Sequence, residues 1–318
     1  MSSSIRAGVV GVGSIGKNHA RIYSDLPGVE FSAILDTNAE TAKVISDQYG
    51  ARTVAGLSEF AALVDVATVA TPTPNHYEIG KFLLNEDKHL LIEKPITETP
   101  KQAEELVKLA KERAVILQVG HVERFNPILS ALESRLTRPR FIEAHRLSTY
   151  PFRSVEIGVI LDLMIHDLEI ILHLVRSPVK SIDAVGVPVL SKGEDIANAR
   201  IRFQNGCVAN VTASRISPEK MRKIRVFQED AYLSLDYQNQ SAELYRLVNG
   251  AITREPVEVD KDEPLKRELQ SFVECARRGL QPVVSGAEAA AALELAIEIT
   301  EITKSGTGEL SSLDRSSA

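Results

Sequence analysis

The segment IRAGVVGVGSIGKNHA, residues 5–20, decides how the chain is to be read. An apolar run, Ile5–Val10, ends in Gly11-Val12-Gly13-Ser14-Ile15-Gly16, and a helical pattern follows. A glycine at the first of these places makes a tight turn. One at the second lets backbone approach a diphosphate, and one at the third lets helix and strand pack closely. The free N–H groups of the opening helix then meet the phosphates. A lone G-x-G-x-x-G is weak evidence, and a glycine turn without a ligand is the plain alternative. The next apolar run, Val29–Leu35, supplies the second half of the pattern by ending at Asp36. A carboxylate there suits the ribose hydroxyls of NAD and repels the extra phosphate of NADP. Thr37 and Asn38 offer no arginine to that phosphate. NAD is the expected cofactor and NADP the disfavoured one. A methyltransferase on a similar fold competes, but it gives no reason for the motifs that follow.

Outward from this start, apolar runs alternate with helical patterns to about residue 120. The runs recur at Asp65–Ala70, His89–Ile92 and Val115–Val119, and helices are expected over 19–26, 39–49, 75–85 and 100–113. Thr99-Pro100-Lys101-Gln102 reads as a capped helix start. The alternation predicts a doubly wound parallel sheet of Rossmann type. After about 140 the runs shorten and alternate, with Asn205-Gly206 as a hairpin turn. They predict an α+β domain with a large, open, mostly antiparallel sheet. One helix is expected early in it, over 158–174, and two at its end, over 264–277 and 287–303, the last opened by Ser285-Gly286-Ala287-Glu288. The expected domains are 1–121 and 122–305, with a disordered tail at 306–318.

Chain length, 318 residues, suits two domains. Net charge is −6 without a Lys/Arg block, which disfavours nucleic acid. No run has the ~18 apolar residues of a membrane helix, and no signal design opens the sequence. Cys207 and Cys275 have no metal spacing and read as reduced thiols of a cytoplasmic protein.

Two stretches end strands at the side of the sheet where ligands bind. VATPTPNHYE places Thr71, Pro72, Asn75 and His76 there, and LLIEKPIT places Glu93 and Lys94. All six are expected to border the cofactor, together with Gly11, Gly13, Ser14, Ile15, Gly16 and Asp36. The helix LDLMIHDLEIILH carries Asp162 and His166 four apart, on one face. His173 falls on roughly the same face, so catalysis, a metal site and a structural histidine are all readings of this helix. Asp167 and Glu169 are expected at the surface.

The set GVGSIG, Asp36, Glu93-Lys94-Pro95 and Asp162-x-x-x-His166 resembles the Gfo/Idh/MocA oxidoreductases over nearly the whole chain. The resemblance implies that Lys94, Asp162 and His166 form the catalytic group, with no metal, and that the Lys94–Pro95 peptide is cis. It also implies a homodimer or homotetramer formed through the second-domain sheet. Met164 stands where the family usually has glycine, and the upstream glycines are reduced to Gly158. VGHVERFNP (119–127) and residues 214–237 resemble the members that oxidise the 3-hydroxyl of UDP-N-acetylglucosamine. Arg124, Asn126, Arg146, Tyr150 and Arg153 are candidates for contacting a substrate of this kind, and surface or interdomain ion pairs are the alternative. The expected activity is NAD-dependent oxidation of a sugar secondary hydroxyl, with a nucleotide sugar as substrate. An NAD-using glycosidase, a dehydrogenase of a free polyol or aldose such as inositol, and a non-catalytic NAD-binding regulator are the alternatives.

Overall fold

The computed structural model describes residues 4–150 and 157–313, with side chains to Ser305. The chain forms two compact units, one of Met1–Phe125 with Glu263–Ala291, the other of Asn126–Asp262 with Ala292–Ala318. The expected boundary at 121/122 lies close to the first crossing. The segment from Glu263 to Ala291, expected in the second domain, packs with the first unit.

The first unit is built from β1 (Ile5–Val10), α1 (Gly16–Asp25), β2 (Val29–Leu35), α2 (Ala39–Tyr49), β3 (Arg52–Thr53), α3 (Leu57–Leu63), β4 (Val66–Val69), α4 (His76–Asn85), β5 (His89–Glu93), α5 (Pro100–Glu112) and β6 (Leu117–Gly120). The strands are all parallel, in the order β3-β2-β1-β4-β5-β6. Every residue of β4 is buried, as expected of a strand covered on both faces. The order reverses at β1/β4, and a ligand crevice belongs there. The Thr99–Gln102 capping box forms, with both reciprocal hydrogen bonds present. β3 and α3 carried too little periodic signal to be read from sequence.

The second unit contains α6 (Pro127–Glu133), β7 (Phe141–Leu147), a π-helical turn (Ile160–Met164) running into α7 (Ile165–Val175), β8 (Val179–Val187), β9 (Ile196–Phe203), β10 (Val208–Ser214), β11 (Met221–Phe227), β12 (Ala231–Asp236), β13 (Ser241–Val248) and β14 (Ala251–Val257). Its sheet order is β14-β13-β12-β11-β7-β10-β9-β8, and only the β7/β10 pair is parallel. β7 alternates half-buried and buried residues, the signature of a sheet covered on one face. α7 packs against β7 and β10. α8 (Pro264–Arg278) belongs to the first unit, where Leu269 and Phe272 join Ala7, Val9 and Leu91 in one core. α9 (Gly286–Leu313) opens on the Ser285–Glu288 capping box and extends past the expected end at Thr303. Of the expected tail, residues 314–318 lie outside the described residues.

Candidate active site

A cleft of ≈ 490 Å³ in the first unit is lined by Gly11, Gly13, Asp36, Thr71, Pro72 and Asn75, among others. These six were expected from sequence. Each glycine acts differently. Gly11 has φ +86°, which favours glycine. A Cβ on Gly16 would sit 1.8 Å from Gly11 O, so α1 can start against β1 only with glycine there. A Cβ on Gly13 would meet no atom of the described residues within 4 Å. Packing therefore does not require glycine at 13, whereas a ligand approaching the backbone would.

Asp36 ties the cleft together. Its Oδ2 accepts from Val12 N at 2.7 Å and its Oδ1 from Asn38 N at 2.8 Å. A carboxylate has about four lone-pair sites, so acceptor capacity for ribose hydroxyls is left. In the wall of the cleft, Thr71 Oγ1 is buried without a hydrogen-bond partner among the described residues. Gly56 and Leu57 also line it. Sequence reasoning missed them because it missed α3. Ser14 and Ile15 are exposed and are not among the lining residues.

The turn after β5 is braced from two sides. Buried His76 places Nδ1 2.9 Å from Pro95 O and Nε2 2.7 Å from Thr71 O. It joins the two loops at the strand ends rather than lining the cleft. The Lys94–Pro95 peptide is cis, as the resemblance implied. Glu93 turns to His19, whose Nε2 lies 2.9 Å from Oε1. His19 was also missed, although a histidine on the inward face of α1, four residues before the buried Tyr23, was the available signal. Lys94 itself is half-buried. Burial first, then the charges of Lys94 and Arg124, push the His121 imidazole down to about 3.

In the second unit, Asp162 and His166 are both half-buried, one in the π turn and the other in the first turn of α7. Ile165 N–H reaches back five residues to Ile160 O. Such bulges occur frequently at functional positions. Asp167 and Glu169, expected at the surface, are both 2% exposed. Asp167 is there because β7 supplies Arg146, whose Nε and Nη2 donate to the Asp167 carboxylate at 2.8 and 3.0 Å. The same pair commits to Asp167 the guanidinium fork that was a substrate candidate. His173 Nε2 lies 2.9 Å from Glu133 Oε1. Among the described residues no group of three His, Cys, Asp or Glu side chains is arranged to hold a metal.

Two family models match: the NAD-binding Rossmann-fold oxidoreductase family over residues 5–121 and the Gfo/Idh/MocA C-terminal domain over 131–234. The chain belongs to the Gfo/Idh/MocA family. It is 34% identical over 276 residues to UDP-N-acetylglucosamine 3-dehydrogenase of Acidithiobacillus ferrooxidans, covering 85% of this chain and 88% of that one. A solved structure of the same enzyme superposes with a TM-score of 0.91 at 31% identity, over 96% of this chain and 99% of that one. The NAD-dependent scyllo-inositol 2-dehydrogenase of Bacillus subtilis is 24% identical over 96% of each chain. The chain is thus an NAD-dependent dehydrogenase of CH–OH groups. The family's dinucleotide fits the first unit: the open space over Gly13, the orphaned Thr71 hydroxyl and the remaining acceptor capacity of Asp36 are what it would fill. Where Gfo/Idh/MocA members usually carry glycine two before the histidine, Met164 is fully buried.

Of the other substrate candidates, Arg124 is 7% exposed and donates to Val283 O at 3.4 Å. Asn126 is buried, caps α6 by accepting from Ile128 N, and donates to Tyr237 O at 3.1 Å. Tyr150 is half-buried, and Arg153 lies outside the described residues. No helix among the described residues is long and apolar enough to cross a membrane.

Proposed function

We propose that the chain oxidises the 3-hydroxyl of UDP-N-acetylglucosamine, or of a closely similar nucleotide sugar, with NAD as acceptor. The observation that carries this reading is the 34% identity to an enzyme of that name over most of both chains. Bound NAD supplies the hydride acceptor. The protein's residues must hold the sugar carbon and take the hydroxyl proton. His166 is the proposed base, since imidazole titrates nearest neutral pH. Asp162, on the same helical face, orients the ring and offsets the charge it gains. Lys94 donates to the reacting oxygen and stabilises its developing negative charge. In a second arrangement of the same chemistry Lys94 takes the hydroxyl proton itself.

Lys94→Met and His166→Ala, each assayed across pH, separate these roles. Each should lower kcat by about 10²-fold or more. The variant that abolishes the limb reporting the base identifies it. Wild-type turnover in either variant removes that residue from the mechanism.

The enzyme is proposed to work in the cytoplasm as a homodimer or homotetramer. Support comes from the sheet face opposite α7, where Phe141, Phe227, Tyr232 and Tyr245 form a half-exposed row with ring centroids 5.6, 4.9 and 4.6 Å apart. Such an apolar row suits a self-complementary contact.

A further inference from the structure

Along most of its length the first sheet meets α1 and α8 through apolar side chains. One corner of that contact is polar. Fully buried His19 bonds Glu93 Oε1. A Cβ on Gly120 would lie 2.8 Å from Glu93 Oε2, so the carboxylate lies flat over β6. Two residues earlier on β6, Gln118 Nε2 donates at 3.4 Å to the backbone carbonyl of Glu268 on α8. The Glu268 side chain is fully buried, and neither carboxyl oxygen has a hydrogen-bond partner among the described residues. His19 Nδ1 and Gln118 Oε1 are likewise buried and without a partner among the described residues.

The inventory of these atoms is one-sided. With its Nε2–H given to Glu93, His19 leaves a bare acceptor at Nδ1, and Gln118 leaves a carbonyl oxygen. An ionised Glu268 would add two more acceptors and a second negative charge beside Glu93. A protonated Glu268 adds the one donor the group lacks. Two carboxyls sharing a buried site do not both ionise. Burial first, and then the Glu93 charge, push the Glu268 carboxyl well above the usual carboxylate range.

We propose that Glu268 is a neutral carboxylic acid that keeps Glu93 charged, and that Glu268 and His19 are positioning residues acting through Glu93 on Lys94. The second half rests on the reading of Lys94 given above; the first does not. Among the described residues, the other ionisable groups buried on the surrounding elements are Tyr23 on α1, Cys275 on α8, and His121, Glu123 and Arg124 after β6, with half-buried Lys94 after β5. His121 stays neutral through the working range, and burial pushes the Tyr23 phenol up, so neither titrates there.

The linkage has a definite sign. A carboxyl protonated when folded but ionised when unfolded binds more protons in the folded state above its unfolded pKa of ~4.3. It therefore subtracts stability as pH rises through that window. Glu268→Gln keeps the shape and cannot ionise. In the full-length protein its melting temperature should exceed wild type by a few degrees at pH 8, and the gap should close toward pH 5. The carbonyl-stretch infrared band of a neutral carboxylic acid should be present in wild type at pH 8 and lost in Glu268→Gln. A gap independent of pH, or no band removed by the substitution, overturns the neutral acid. For the positioning role, His19→Gln should lower kcat about tenfold, move the acid limb of the pH–rate profile up by about one unit and leave NAD affinity within twofold. An unmoved acid limb overturns that role. Should Lys94→Met keep wild-type turnover, the catalytic reading fails while the melting and infrared results still decide the ionisation of Glu268.

Discussion

At the scale of single residues, the glycines of the first turn separate folding from binding. Gly16→Ala forces a methyl into Gly11 O and should destabilise the protein by about 2 kcal/mol or more. Gly13→Ala meets open space and should leave the melting temperature unchanged. It should nevertheless weaken NAD about tenfold, or ~1.4 kcal/mol, because the methyl projects where the ligand approaches. Thermal melts and NAD titration of the two variants check both statements, and a large loss of stability in Gly13→Ala would contradict them. The placing of Gly11, Gly13, Asp36, Thr71 and Asn75 along the cleft was legible because each follows a strand end on the ligand side of a parallel sheet. His76 and Glu93 were legible as polar groups at strand ends, but not their partners. Whether such a side chain faces a ligand or another loop is decided by groups far away in sequence, Pro95 and His19 in these two cases.

At the scale of elements, the π turn and α7 carry Asp162 and His166, and β7 sets the rotation of that helix through one ion pair. The Arg146–Asp167 fork is nearly inaccessible, at 4% and 2% side-chain exposure. Removing Asp167 takes away the buried carboxylate that faces the Arg146 guanidinium. Asp167→Ala should cost about 3–5 kcal/mol in urea unfolding. The double variant Arg146→Met/Asp167→Leu should recover most of that loss. Additive losses would contradict the assignment of the pair as a buried, mutually compensating unit. Spacing alone misplaced Asp167, because a heptad-like pattern shows which residues share a face but not that a strand presents an arginine to the polar one. The alternating strands β9 to β14 were readable for the opposite reason: burial on one face imposes a period of two. β8 escaped notice because its residues are mostly half-buried or exposed and alternate weakly.

At the scale of the whole molecule, the proposed assembly is tested on the aromatic row. Tyr232→Arg and Tyr245→Glu place charge in that stack and should shift the protein toward monomer in light scattering, with far-ultraviolet dichroism unchanged. A wild type that is already monomeric would contradict the oligomer. Fold class was legible throughout, since strand–helix alternation followed by alternating short strands admits few architectures. The packing of α8 with the first unit was not, because a long return segment leaves no local trace of which core it joins. Substrate identity has the same character: it depends on side chains that line the substrate's place, and no motif encodes their combination. The most direct measurement is the reduction of NAD by purified protein in the presence of UDP-N-acetylglucosamine, with an aminotransferase and amino donor to remove the keto product. Absorbance of reduced nicotinamide should rise with this sugar nucleotide and NAD, and far less with NADP or with inositol. Reduction by inositol or free aldoses but not by the nucleotide sugar would contradict the proposed substrate.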